Sequence, residues 1–457
     1  TNKEYGGTDM AEQQKNNSEV FALRPTPMNE RKSMLDMVWV QAGCVICIPA
    51  FMLGGLVAAQ MPTWTGVAAC GVGYLLTLIL MIVLGIQGAD LGIPTCAVSQ
   101  STFGKNGTRL LVSSLFAISL MGFFGLQVNV CGEAFANLMG DAFGIQIPLT
   151  LSSLIWGIVM SVIAIIGMEG LKIFDKLSVP LLFIIMVVGL VLAFQKYGTA
   201  GITANEVETA TMSFAEAVAL SFSFFSAMAF TAADVTRWQR NRKDTIKSSV
   251  WGLMPAGLAT CIIGVLLARI AGEYDISLVL AKVGIPILGL IVIITASVST
   301  NSLNAYCGGL DTIMTFNLPD NRRREATAGV CFVGVILALT GILGYIETFL
   351  NWICFLGAPV AGVMIADYWI VGKGRPESWH KVDGWNWTGC IVAVVSMVIA
   401  LLLYNVLHIG VFNLNGVAVA MVLYVIAEKF FPSKSRKLDG GTKAFVEAER
   451  EEPANVS

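Results

Sequence analysis

IPILGLIVIITASVSTNSLNAYCGGLDTIMTF, residues 285–316, begins as ordinary membrane helix and turns polar in its middle. Ser297, Ser299, Thr300, Asn301, Ser302 and Asn304 crowd into about two helical turns, and none carries a charge. On a helix, Ala296, Ser299 and Thr300 (i, i+3, i+4) share one face, with Asn304 one turn beyond Thr300. Two hydroxyls and a carbonyl, none ionised, form a suitable shell for a dehydrated sodium ion, a hard cation that takes oxygen ligands. The simpler alternative is that these hydroxyls bond their own helix backbone and join neighbouring helices. So many polar side chains in hydrocarbon need a water-lined cavity or each other.

Composition sets the class. Of 457 residues, 55% are hydrophobic and 13% charged, about half the charged share of a soluble domain. With a mean hydropathy of +0.72, the chain reads as an all-α integral membrane protein. The net charge of −2 says nothing about nucleic acid; no basic domain stands out, and no nucleic-acid partner is expected. The first thirty or so residues are polar, so no cleavable signal peptide is expected and the first span is retained. Ten cysteines lie mostly in apolar runs, and Cys44 and Cys47 form a CxxC inside a span without a second pair. With His380 and His408 the only histidines, buried thiols are expected rather than a zinc site.

Apolar runs long enough to span fall at roughly 35–59, 64–86, 109–139, 150–168, 177–195, 213–233, 248–271, 285–315, 326–345, 347–370, 386–406 and 410–430. That predicts about twelve transmembrane helices between polar tails at 1–33 and 432–457. One side collects the basic residues, including Arg31, Lys32, Lys172, Lys176, Arg237, Arg240, Arg242 and Arg322 to Arg324. The other keeps Lys196, Arg269 and Lys282, which places both termini in the cytoplasm. Three glycosylation sequons (Asn16, Asn106 and Asn386) fall on the cytoplasmic side and carry no implication. The first span is interrupted by Gly43, Pro49 and the pair Gly54-Gly55; the sixth has small residues through its centre and ends in the polar step Ala232-Ala233-Asp234. Interruptions at matching places point to a 5+5 inverted repeat with the site between its halves. The expected units are 34–200 (helices 1–5), 201–371 (helices 6–10) and 372–431 (two further helices).

Several stretches resemble the nucleobase–cation symporters of the purine/cytosine permease family. The most specific is Ala233-Asp234-Val235-Thr236-Arg237-Trp238-Gln239-Arg240-Asn241, similar to the family's A-D-F-x-R-F/Y-x-R/K-N after helix six. Ser299-Thr300-Asn301 through Tyr306 and Gly309-Leu310 resembles TTN…Y…GL in helix eight. Pro359 to Tyr368 resembles P-x-GG-V-I-I-A-D-Y, and Gly122-Phe123-Phe124-Gly125 resembles G-W-F-G in helix three. The resemblance implies a LeuT-type fold with two extra C-terminal helices.

It also implies a sodium site made of two helix-one carbonyls three residues apart and, from helix eight, a carbonyl and two hydroxyls. In this sequence those positions are Gly43, Ile46, Ala296, Ser299 and Thr300. The substrate is expected between aromatics of helices three and six, where a flat ring stacks and its edge needs amides. Phe123 falls on the family's Trp, Phe224 or Phe225 on the helix-six aromatic, and Gln127 is placed to meet a ring edge, with Asn301 and Asn304 supplying further contacts. Leu120 stands where cytosine-transporting members carry Gln, Ala296 replaces an Asn, and Phe123 replaces the Trp, so a hydantoin-like ring or another planar nitrogen compound fits as well as cytosine.

Among intramembrane acids, Glu133 reads as a proton relay, a contact for a cationic substrate or a packing residue near the outer surface. Asp234 and Arg237 (i, i+3) are expected to pair at the inner gate, and Asp367 to make a structural contact. No phosphate loop, carboxylate pair or nucleophile triad indicates an enzyme, and no cofactor is expected. The predicted activity is symport, coupled to sodium, in a bacterial inner membrane. The rivals are a proton-coupled carrier of amino acids or amines, and a channel or receptor that binds a base without moving it.

Overall fold

The computed structural model describes residues 23–406 and 412–433, and all regular structure there is helical. Most of both terminal tails, including Asn16, and also His408 lie outside the described residues.

The first helix is broken. Its halves, Met34–Val45 and Ile48–Gln60 (together α1), meet at 52°. Pro49 has no N–H to return to Val45, four residues back, and its ring would crowd that carbonyl. The Val45 carbonyl accepts instead from the Cys47 N–H at 3.0 Å, which therefore does not complete the turn onto Gly43. The outer helices follow as α2 (Thr63–Leu91), α3 (Gln100–Phe143, bulged at Thr108–Ser113), α4 (Leu149–Ile166) and α5 (Met168–Tyr197). Next come α6 (Phe214–Phe230), α7 (Arg242–Ala271), α8 (Pro286–Phe316), α9 (Arg323–Leu339), α10 (Ile346–Ile365), α11 (Trp387–Asn405) and α12 (Phe412–Phe430).

Eight helices among the described residues are long and apolar enough to cross a bilayer, and the bent α1 makes a ninth; α6 is apolar but only 17 residues long. In lipid the backbone must satisfy itself, which is why the apolar runs fold as helices. Three begin well before the apolar run does: α3 at Gln100, α5 at Met168 and α7 at Arg242. For α5 the boundary is set by Gly167, whose φ of 101° only glycine adopts readily and which turns the chain sharply out of α4. Asp175 consequently lies inside a helix and is fully buried.

Helix α8 is the central rod, packed against α3, α4, α5, α9 and the first half of α1. On the other side, α6 packs on α2 and α10, and α7 on α1 and α2. The stretch 233–241 ties these groups together: Arg31 Nη1 donates to Ala89 O (2.6 Å) and Gln239 O (3.0 Å), Gln239 Nε2 donates to Ser248 Oγ (2.9 Å), and Asn241 caps α7. Asp367 is a structural contact: it accepts from Thr102 Oγ1 (2.9 Å) and Tyr424 OH (2.9 Å), latching the end of α10 to α3 and α12.

Candidate substrate and ion site

The break in α1 and the polar turns of α8 face each other. Thr300 Oγ1 lies 3.2 Å from Gly43 O, 3.1 Å from Cys44 O and 3.2 Å from Ala296 O. A hydroxyl has one proton, so it serves one of these carbonyls at a time. The others turn lone pairs toward the same point, an excess of acceptors that a cation satisfies. Ser299 Oγ is fully buried with no hydrogen-bond partner among the described residues. It sits against Gly43, where an added Cβ would come within 2.4 Å of it. The carbonyl that Thr300 meets beside Gly43 is that of Cys44. Ile46 stands two residues further on at the break itself, with φ −81°, ψ 89° and its N–H bonded to Ala42 O at 3.0 Å. Neutral oxygen atoms, with no cluster of three or more His, Cys or acidic side chains among the described residues, fit an alkali cation rather than a transition metal.

Beside this oxygen cage opens a cavity lined by Phe123, Gln127, Phe224, Phe225, Thr300 and Asn304, with Leu120, Thr231 and Leu350 among its other walls. Phe224 and Phe225 have centroids 5.4 Å apart, and both line the cavity. Phe123 meets the edge of Phe349 with centroids 5.3 Å apart. Gly122 permits that approach, since a Cβ there would lie 2.3 Å from the Phe349 ring. Gln127 is 3% exposed, and its Nε2 has no hydrogen-bond partner among the described residues. An unpaired amide in an otherwise apolar slot costs stability until something bonds it, so Gln127 is a ready donor for a ring edge.

The expectation for Asn301 is corrected. It is fully buried and spends its Nδ2 on Phe124 O (3.1 Å) and Met160 Sδ (3.1 Å), bracing α8 against α3 and α4. Its Oδ1 accepts from Asn304 Nδ2 at 3.4 Å, so it orients a cavity residue rather than facing the cavity. Asn301→Ala is expected to cost about 1–3 kcal/mol of stability, read as a lower melting temperature. Substrate affinity should fall less than in Gln127→Ala.

Asp234 and Arg237 act on each other electrostatically, and each also has a further partner. Asp234 Oδ1 accepts from the Thr95 N–H at 2.7 Å, at the start of the short helix Thr95–Val98, where an anion is favoured. Arg237 Nη2 donates to Tyr306 OH at 2.5 Å, which joins the end of α6 to α8. Glu133 is exposed and does not line the cavity. Reading the sequence assigned no role to Ile346 and Leu350, at the start of α10, which line the cavity. It also missed Asp175, which sits between Lys172 and Lys176 in what looked like a loop.

A family model described as permease for cytosine/purines, uracil, thiamine, allantoin matches residues 25–426. The cytosine permease of Escherichia coli (strain K12) is 26% identical over 421 residues, covering 91% of this chain and 96% of that protein. The hydantoin permease of Microbacterium maritypicum is 22% identical, covering 89% of this chain and 91% of its own length. In three dimensions the chain is similar to Mhp1, a nucleobase-cation-symport-1 family transporter in a closed conformation with bromovinylhydantoin bound. The TM-score there is 0.79 at 18% identity, over 93% of this chain and 98% of that one, a likeness of fold. This multi-pass membrane protein is thus a transporter and not an enzyme, and it belongs to the family of permeases for cytosine/purines, uracil, thiamine and allantoin.

Proposed function

We propose that the chain imports a planar nitrogen heterocycle, a nucleobase or a hydantoin-like ring, together with sodium. The observation that carries this reading is the Thr300 hydroxyl set among carbonyls of α1 and α8, next to an aromatic slot that ends on the unpaired amide of Gln127. The relatives' cargo, cytosine and hydantoin by name, supports a ring of this size and polarity. The ring lies between Phe123 and the pair Phe224 and Phe225, and its edge bonds Gln127 and Asn304. Sodium is held by Gly43, Ala296, Ser299 and Thr300, with Ile46, or Cys44 next to Gly43, as the remaining carbonyl. Because Thr300 borders both spaces, filling one orders the wall of the other. That shared wall is the coupling, by differential affinity for the outward- and inward-open states.

The helices are read as twelve spans in an inverted repeat of 34–200 on 201–371, followed by 372–431, in an inner membrane with both termini cytoplasmic. The test is uptake of labelled cytosine, uracil and hydantoin into proteoliposomes. Accumulation should follow an imposed sodium gradient and vanish in choline. Accumulation driven equally well by a proton gradient in choline would replace sodium with protons, and equilibration without accumulation would make the protein a channel. Gln127→Ala should weaken the ring about tenfold, the equivalent of one lost buried hydrogen bond, seen as a higher KM at unchanged sodium dependence.

A further inference from the structure

Asp175, on α5, borders the oxygen cage from a third helix. It is 0% exposed, and neither carboxylate oxygen has a hydrogen-bond partner at good geometry among the described residues. Its Oδ1 lies 2.9 Å from the point where a Cβ on Gly43 would sit, and Ser299 Oγ lies 2.4 Å from that same point. Carboxylate, Ser299 hydroxyl and the Gly43 backbone therefore share one small space. On the next turn of α5, Ser178 is also buried, and its hydroxyl likewise lacks a partner. The polar side chain acting on Asp175 is that of Ser299. Of the ion pairs found among the described residues, Arg242–Asp90 and Lys282–Glu273 are both remote in sequence from it.

A buried acid in this position is unusual. An ionised carboxylate removed from water costs several kcal/mol unless a cation or several donors meet it. Beyond the Ser299 hydroxyl no side chain has supplied that partner among the described residues, and the Gly43 backbone of the cage lies directly against it. We propose that Asp175 is a ligand of the transported cation, so that α5 closes the cage opposite α1 and the site holds an anionic oxygen as well as neutral ones. This rests on the sodium reading above and goes beyond it: the ion site spans three helices, and its charge is balanced within the protein. Carboxylate and hydroxyl oxygens together suit a hard monovalent cation. The consequence for transport is a site that disfavours standing empty. Once the ion leaves, the carboxylate must be met by water or by a proton, and access for either ties ion release to opening of the inner side.

The experiment is a sodium titration of the melting temperature of the purified full-length protein, with choline chloride holding ionic strength constant. Asp175→Asn is expected to raise the half-saturating sodium concentration at least about tenfold, while its melting temperature in choline equals or exceeds that of the parent. Asp175→Glu, which keeps the charge, should lie closer to the parent than the amide does; a purely structural role would not give that order. If the amide does not accumulate, Asp175→Ser carries the same expectation. A midpoint for the neutral variant within twofold of the parent overturns the proposal. Thr300→Ala in the same titration separates the two readings. If it shifts the midpoint and Asp175→Asn does not, Asp175 alone is dismissed. If neither does, the ion site itself is elsewhere.

Discussion

Thr300→Ala is expected to raise the sodium concentration needed for half-maximal uptake by at least about tenfold, with protein abundance close to the parent. The hydroxyl lies within 3.2 Å of Gly43 O, Cys44 O and Ala296 O, so its removal takes out the group on which both helices converge. Loss of a single group supporting a metal site commonly weakens the ion about 10–100-fold. Folding should suffer little. Thr300 is half-buried at the cavity wall, and alanine is the better helix former. Because the same side chain borders the ring cavity, substrate affinity in saturating sodium should change less than the sodium midpoint does. Transport with an unaltered sodium midpoint would remove the ion from this position.

Gly43→Ala has the opposite geometry and an effect of similar size. Here a methyl is added to the cage instead of an oxygen removed. Its Cβ would lie 2.4 Å from Ser299 Oγ and 2.9 Å from Asp175 Oδ1, closer than such contacts occur, so both side chains must retreat. Two terms compete in stability. Alanine gains roughly 0.5–1 kcal/mol over glycine inside a helix, while overpacking a buried site costs about 1–3 kcal/mol. The overpacking term is the larger, so a modest fall in melting temperature in choline is expected. The sodium-dependent rise in melting temperature should disappear almost entirely. A variant that keeps its full sodium response would show that Gly43 is only a packing residue.

The polar turns at 297–304 could be recognised without coordinates because hydrocarbon tolerates uncharged oxygen and nitrogen only where they find partners. The same reasoning placed Ser299, Thr300 and Asn304 on one working face, and the motif at Phe123 and Gln127 pointed to the aromatic slot. It could not separate Asn301 from Asn304. Both lie on a helix surrounded by protein, so polarity does not mark one face as inward, and only the neighbouring Phe124 carbonyl and Met160 sulfur show where Asn301 points. The Asp234–Arg237 spacing showed only part of their surroundings: i, i+3 residues do meet on a helix, and the two charges act on each other. Asp234 had a further donor in the Thr95 N–H, brought in by a segment about 140 residues away in sequence.

Hydropathy by itself determined that the chain crosses a membrane many times, that its first helix is interrupted and that its eighth is wet in the middle. Each follows from local chemistry: backbone groups must pair within their own segment in lipid, and Pro49 cannot. Tertiary structure decided which oxygen atoms share a space. The pairing of the Gly43 carbonyl with Thr300, the packing of Phe349 on Phe123, and the approach of Asp175 to Ser299 all join segments more than a hundred residues apart. Asp175 illustrates the limit. Flanked by Lys172 and Lys176 it reads as the solvated end of a span, and only the sharp turn at Gly167, which starts α5 at Met168, carries it into the interior.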